Sequence, residues 1–122
     1  MKRRILVIDD DEGIQECLQI ILETEGYEVM MASDGIKALD LLTASTLDLI
    51  ILDLMMPRMN GYEFIKVLRQ QGRHLDIPVI LLTADPQVEK RASTMGLDIY
   101  LMKPFDIVDL LDVVARSLPQ TT

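Results

Sequence analysis

Short apolar runs, interrupted only by Glu28 in the second, alternate along this chain with stretches whose apolar residues recur every three to four positions. The runs are Ile5 to Ile8, Tyr27 to Met31, Leu49 to Leu52, Val79 to Leu82 and Ile99 to Met102. Each is of strand length. The stretches between them read as amphipathic helices. The first carries Ile14, Cys17, Leu18, Ile21 and Leu22 on one face and stops at Gly26. The second, capped by Ser33 or Asp34, turns Ala38, Leu39 and Leu42 inward. The third follows Pro57 and Asn60-Gly61, buries Phe64, Ile65 and Leu68, and ends at Gly72. Gly61 is read as serving the turn. Asp85-Pro86 reads as an N-cap followed by proline at the first helical position of a short fourth helix. Val88, Ala92 and Met95 face inward there, and Gly96 ends it. Asp106 caps the last helix, whose stripe is Ile107, Leu110, Leu111, Val114 and Leu118; Pro119 and a polar tail close the chain.

Strands that are apolar throughout are covered on both faces. Alternation with helices then predicts a parallel sheet in a three-layer α/β sandwich, with five strands and five helices. In such sheets the ligand site lies at the carboxyl ends of the strands. Asp9, Asp10, Asp53, Thr83 and Lys103 each follow a strand, so this rule sets them on one rim.

Composition narrows the picture. The 122 residues fit one domain, 1–122, with a short polar tail after about residue 118. Hydrophobic residues make up 49% of the chain, enough for a packed core. The formal charge of -8, from 12 basic and 20 acidic residues, argues against direct nucleic-acid binding. The Lys2-Arg3-Arg4 cluster runs straight into a strand and is read as a solvated start. Cys17 is the sole cysteine, so no internal disulfide forms; its place on the helix stripe predicts a packed thiol. No apolar run approaches the roughly 18 residues of a membrane span, and the N-terminus is no signal peptide. The expected location is cytoplasmic. His74 has no partner at metal-ligand spacing and is given no role.

The rim residues carry the chemistry. Clustered carboxylates repel one another unless a cation neutralises them. Asp9, Asp10 and Asp53 offer hard oxygen ligands that suit Mg²⁺, or Mn²⁺ in its place. Thr83 adds a hydroxyl and Lys103 a movable ammonium, the groups that stabilise charge on a transferring phosphoryl group. A carboxylate between them can attack phosphorus. Asp9 and Asp10 could instead cap the first helix, but Asp11 or Glu12 is placed for that.

Four stretches fix a resemblance. They are Ile5-Leu6-Val7-Ile8-Asp9-Asp10-Asp11-Glu12, Asp53-Leu54-Met55-Met56-Pro57-Arg58-Met59-Asn60-Gly61, Leu82-Thr83-Ala84 and Tyr100-Leu101-Met102-Lys103-Pro104-Phe105. With these in order along nearly its whole length, the chain resembles the receiver domain of bacterial two-component response regulators. The resemblance implies a flavodoxin-like strand order, 2-1-3-4-5. It implies that Asp53 accepts a phosphoryl group from a histidine kinase or a histidine phosphotransfer protein. Asp9 and Asp10 would hold Mg²⁺ with Asp53, the Met55 backbone carbonyl adding a ligand. Thr83 and Lys103 would contact the phosphoryl oxygens. Tyr100 would be the aromatic switch that moves as Thr83 closes; the plain alternative is a half-buried strand aromatic. An unknown downstream protein would read the surface of the fourth helix, fifth strand and fifth helix.

The chain departs from the family pattern in one place. Thr83 to Lys103 is 20 residues, about two short of the family interval, and the shortage falls in or beside the fourth helix. Met55 and Asp85 lie two residues past Asp53 and Thr83, positions that flank the phosphoryl group in the family. Bulky Met55 would hinder the attacking water, and acidic Asp85 would affect its approach. Two other readings stand beside the phosphorylated switch. An aspartyl-phosphate-type phosphatase also uses a strand-end Asp, but it needs a second acid where this chain has Met55. A scaffold receiver would keep the pocket without using it. No output segment follows the last helix, so a stand-alone regulator, a phosphate relay or a domain excised from a longer chain are all open. Val108 and Val113, off the main stripe, permit a weak homodimer beside the monomer.

Overall fold

The structure is a computed structural model, and it describes residues 2–56, 58–72, 76–97 and 99–118. Pro57, His74, Pro119 and the polar tail lie outside these. The elements alternate: β1 Arg4–Ile8, α1 Glu12–Thr24, β2 Glu28–Ala32, α2 Gly35–Ala44, β3 Leu49–Leu52, α3 Gly61–Gln70, β4 Val79–Thr83, α4 Val88–Thr94, β5 Tyr100–Met102 and α5 Ile107–Ser117. The strands form one parallel sheet of order β2-β1-β3-β4-β5, the flavodoxin-like arrangement.

Side chains alternate across a strand, and that period sorts the core into two layers. Leu6, Ile8, Ile50, Leu52 and Leu81 pack with Ala38 and Leu42 of α2, Phe64, Ile65 and Leu68 of α3, and Val88 and Ala92 of α4. Ile5, Val7, Leu49, Ile51, Ile80 and Leu82 pack with Leu18 and Leu22 of α1 and Leu110 and Val114 of α5. Helix α1, which follows β1, packs on one face and α3, which follows β3, on the other, so the carboxyl ends of β1 and β3 border the crevice that such topologies open. Ile8 pairs with Leu52, and Thr83 pairs with Met102. That register puts Asp9 beside Asp53 and Thr83 beside Lys103.

Local caps explain most boundaries. Asp11 accepts the Ile14 N–H and caps α1; Asp34 accepts the Lys37 N–H and caps α2. Asn60 and Glu63 form a reciprocal capping box at the start of α3. Gly26, Gly72 and Gly96 take positive φ after their helices, as glycine does past a C-terminus.

Five expectations need correction. Cys17 is exposed. Ile14, Leu18, Ile21 and Leu22 define the inward arc, and Cys17 falls about 90° from its centre at 100° per residue. Ile107 and Val108 are both exposed in the opening turn of α5, although the stripe included Ile107. Helix α4 begins at Val88, after a Gln87 N-cap that makes no side-chain bond, so Asp85-Pro86 precedes the helix. Asp106 stands at the start of α5 with extended backbone, but its side chain makes no capping bond. Gly61, finally, has no positive φ. It is required because a Cβ there would come within 2.8 Å of the Asp53 carbonyl oxygen and of Leu54 Cα.

Candidate functional site

Residues from three strand ends meet at the sheet's carboxyl edge. Asp9 follows β1 and Asp53 follows β3, and the Asp53 N–H bonds to the Ile8 carbonyl at 2.9 Å. Both carboxylates are buried, at 1% and 5% exposure, whereas Asp10 is exposed. One carboxylate oxygen from each of Asp9, Asp10 and Asp53 lies within 4.8 Å of the others. Lys103, following β5, reaches back over them. Its Nζ is 2.8 Å from Asp9 Oδ2 and 3.4 Å from Asp53 Oδ2.

Backbone donors orient the acids. Asp9 Oδ1 accepts the Asp11 N–H at 2.9 Å, and Asp53 Oδ1 accepts the Met55 N–H at 3.1 Å. The Gln15 side-chain amide donates to the Asp9 carbonyl. Burial pushes the Asp53 carboxyl up; the Met55 N–H opposes this, the Asp9 charge adds to it and Lys103 opposes it. Burial would lower the Lys103 ammonium, but the Asp9 hydrogen bond and the charges of Asp53 and Asp9 prevail and hold it above its usual value. Three carboxylates thus face one ammonium. That excess of hard anionic oxygens is a donor set that could hold a divalent metal ion such as Mg²⁺.

Thr83 ends β4 on the same edge and is fully buried. Its carbonyl accepts the Lys103 N–H at 2.9 Å, and its hydroxyl oxygen accepts the Asp85 N–H at 3.1 Å. The structure therefore gathers Asp9, Asp10, Asp53 and Lys103 side chain to side chain, with Thr83 joined through backbone. Tyr100 stands apart from the carboxylates. It pairs with Leu81, packs half-buried on the α4 side of the core, and borders a 250 Å³ cleft with Val113, Arg116 and Ser117 of α5. Met55 projects outward at 62% exposure and borders a cleft of about 570 Å³ with Asp10, Asn60, Tyr62 and Arg91.

Asp85 is tied to α3 and to α4. Its Oδ1 accepts the Gln87 N–H, and its Oδ2 accepts from the Tyr62 hydroxyl and the Arg91 guanidinium. Both oxygens are engaged. The Gln87 bond, against the cost of burial and with help from Tyr62 and Arg91, holds its carboxyl below the usual range. Sequence reasoning missed Tyr62 and Arg91, because nothing in their spacing marks a pair that meets through a third residue. The Asn60–Glu63 box was open to detection from its N-x-x-E spacing.

Comparisons with known proteins agree with this geometry. The family described as "Response regulator receiver domain" matches residues 5–115. Response regulator MprA of Mycolicibacterium vanbaalenii is 42% identical over 124 positions, covering 100% of this chain and 53% of that protein. The chain thus spans about half the length of the curated relatives it matches. The chemotaxis protein CheY4 of Vibrio cholerae superposes with a TM-score of 0.89 at 33% identity, over 97% of this chain and 100% of that one. Response regulator protein TrrA of Thermotoga maritima, solved in complex with Mg(2+)-BeF, gives 0.85 at 36% identity, over 95% and 99%. Receiver domains pair with histidine kinases and act as phosphoacceptors, not as catalytic enzymes. With a family match over nearly its whole length, the fold to go with it and an acidic pocket at the expected edge, this chain belongs to the response regulator receiver domain family.

Proposed function

We propose that Asp53 is the phosphoacceptor of a signalling switch, with residues 1–122 acting as one receiver unit. One observation carries this reading: the Lys103 ammonium spans Asp9 and Asp53 inside a cluster of three carboxylates. The donor is the phosphohistidine of a histidine kinase or a phosphotransfer protein. An Asp53 carboxylate oxygen attacks phosphorus, the P–N bond breaks, and the imidazole leaves and takes up a proton. Asp9, Asp10 and Asp53 would hold Mg²⁺, or Mn²⁺, with the Met55 carbonyl as a further ligand. When bound, the ion supplies positive charge against the phosphoryl oxygens. TrrA, of like fold, was solved with Mg²⁺ and a beryllium fluoride, which supports the assignment.

In this reading the other residues act after transfer. Lys103 moves its ammonium from the carboxylates to a phosphoryl oxygen, and Thr83 brings its hydroxyl to another. Tyr100 follows Thr83 and alters the surface of α4, β5 and α5 that a downstream protein reads. The chain works in the cytoplasm, as a monomer or weak homodimer, without direct contact to nucleic acid or membrane. Among the described residues no helix is long and apolar enough to cross a membrane. The test is acetyl phosphate with Mg²⁺. A mass gain of one phosphoryl group that hydroxylamine removes is expected, and Asp53→Ala should abolish it. A gain that survives in Asp53→Ala, or no gain in the wild type, rejects the assignment.

A further inference from the structure

Asp85 makes more contacts than an incidental loop acid requires. It is 9% exposed. Its N–H donates to Thr83 Oγ1 at 3.1 Å, and its Oδ1 accepts from the Gln87 N–H at 2.9 Å. Its Oδ2 accepts from the Tyr62 hydroxyl at 3.1 Å and from Arg91 Nη1 at 3.3 Å. The Arg91 guanidinium lies 5.7 Å from the centre of the Tyr62 ring. A continuous set of polar contacts therefore joins α3, through Tyr62, and α4, through Arg91, to the hydroxyl of Thr83.

The start of α4 depends on the same residue. Helix α4 has 7 residues, and its N-cap Gln87 makes no side-chain bond. So short a helix has little stability of its own and is held by what it packs against. Asp85 ties its first turn down through Gln87 and Arg91 together. Thr83, meanwhile, is fully buried with its oxygen accepting from Asp85. If that hydroxyl reaches a phosphoryl oxygen by a shift of the loop from Thr83 to Gln87, Asp85 has to shift with it.

We infer that Tyr62 and Arg91 are positioning residues for phosphoryl capture: acting through Asp85, they anchor Thr83 in the unphosphorylated arrangement and set how readily it closes. This rests on Asp53 being the phosphoacceptor. Anchors that favour one of two arrangements weaken any ligand that needs the other. Loosening them therefore tightens binding of a phosphoryl mimic. Arg91 is half-exposed, so its ion pair is screened and its removal has a modest effect, about two- to fivefold in affinity. Losing the single Tyr62 hydroxyl has an effect of similar size.

The test is a beryllofluoride titration in saturating Mg²⁺, read by amide NMR shifts on the intact chain. It uses wild type, Tyr62→Phe and Arg91→Gln, then each variant combined with Thr83→Ala. Both single variants should bind beryllofluoride about two- to fivefold more tightly, with Mg²⁺ affinity in its absence unchanged. The gain should vanish in the Thr83→Ala background, and Arg91→Lys should restore much of the wild-type value. Loosened packing alone would not produce that dependence on Thr83. Tyr62→Phe differs by one oxygen and keeps the test open if Arg91→Gln folds poorly. Unchanged or weaker affinity in either folded variant, or a gain that persists with Thr83→Ala, overturns the inference. A wild type that does not bind beryllofluoride, or binding that ignores Asp53→Ala, instead overturns the phosphoacceptor assignment.

Discussion

Replacing Lys103 by Met should destabilise the domain, and Mg²⁺ should undo much of the damage. The ammonium sits 2.8 Å from Asp9 and 3.4 Å from Asp53, both buried. At an effective dielectric near 20, each contact is worth about 5 to 6 kcal/mol before desolvation is counted. Desolvating the ammonium offsets much of that. Removing one partner of a buried pair leaves the carboxylates uncompensated, which typically costs about 3–5 kcal/mol. Lys103 keeps 19% of its side chain in solvent, so the lower end, about 3 kcal/mol, applies here. For a domain of this size that is a fall of about 10 °C in Tm. Mg²⁺ at about 100 times its Kd returns about 2.7 kcal/mol to any form that binds it. The variant should bind the ion more tightly than wild type, because a competing positive charge has gone. The assay is urea or thermal unfolding of both proteins in EDTA and in Mg²⁺. A loss below about 1 kcal/mol in EDTA would refute the reasoning, and so would equal Mg²⁺ shifts in the two proteins.

Asp53→Asn should raise stability near neutral pH in the absence of metal. The folded carboxyl is pushed up, chiefly by burial. Its charge therefore opposes folding, in full above the folded pKa; that penalty fades as pH falls from the folded pKa to the ordinary Asp range and is gone below it, where both states are protonated. The advantage of Asn, read from unfolding curves, should follow the same course. Mg²⁺ affinity, measured by calorimetry, should weaken on acidification at a higher pH than an ordinary carboxylate would give, since protonated Asp53 cannot ligate. Gly61→Ala should cost about 1–3 kcal/mol, because the new methyl meets the Asp53–Leu54 backbone. Asn60→Ala should cost about 1 kcal/mol by opening the α3 capping box, with Mg²⁺ affinity retained.

The element pattern, the parallel sheet and the acidic edge were all readable in the sequence. Unbroken apolar strands imply cover on both faces, and a carboxylate directly after such a strand has nowhere to go but the sheet's edge. Strand order came from the motifs, since periodicity does not choose among right-handed topologies. Cys17 was misplaced because a stripe drawn through every apolar residue of α1 is wider than the arc the sheet covers. Gly61 was assigned to a turn because composition does not reveal how near the Asp53 carbonyl would come. The Tyr62–Asp85–Arg91 contact depends on how α3 and α4 lie against each other, a tertiary relation with no local signature.

The central claim is that one particular carboxylate takes the phosphoryl group. Borohydride reduction after acetyl phosphate treatment converts an aspartyl phosphate to homoserine, and peptide sequencing by mass spectrometry then locates it. Homoserine at position 53, dependent on Mg²⁺, is the result expected. Homoserine at position 9 or 10, or at no position, would contradict the account.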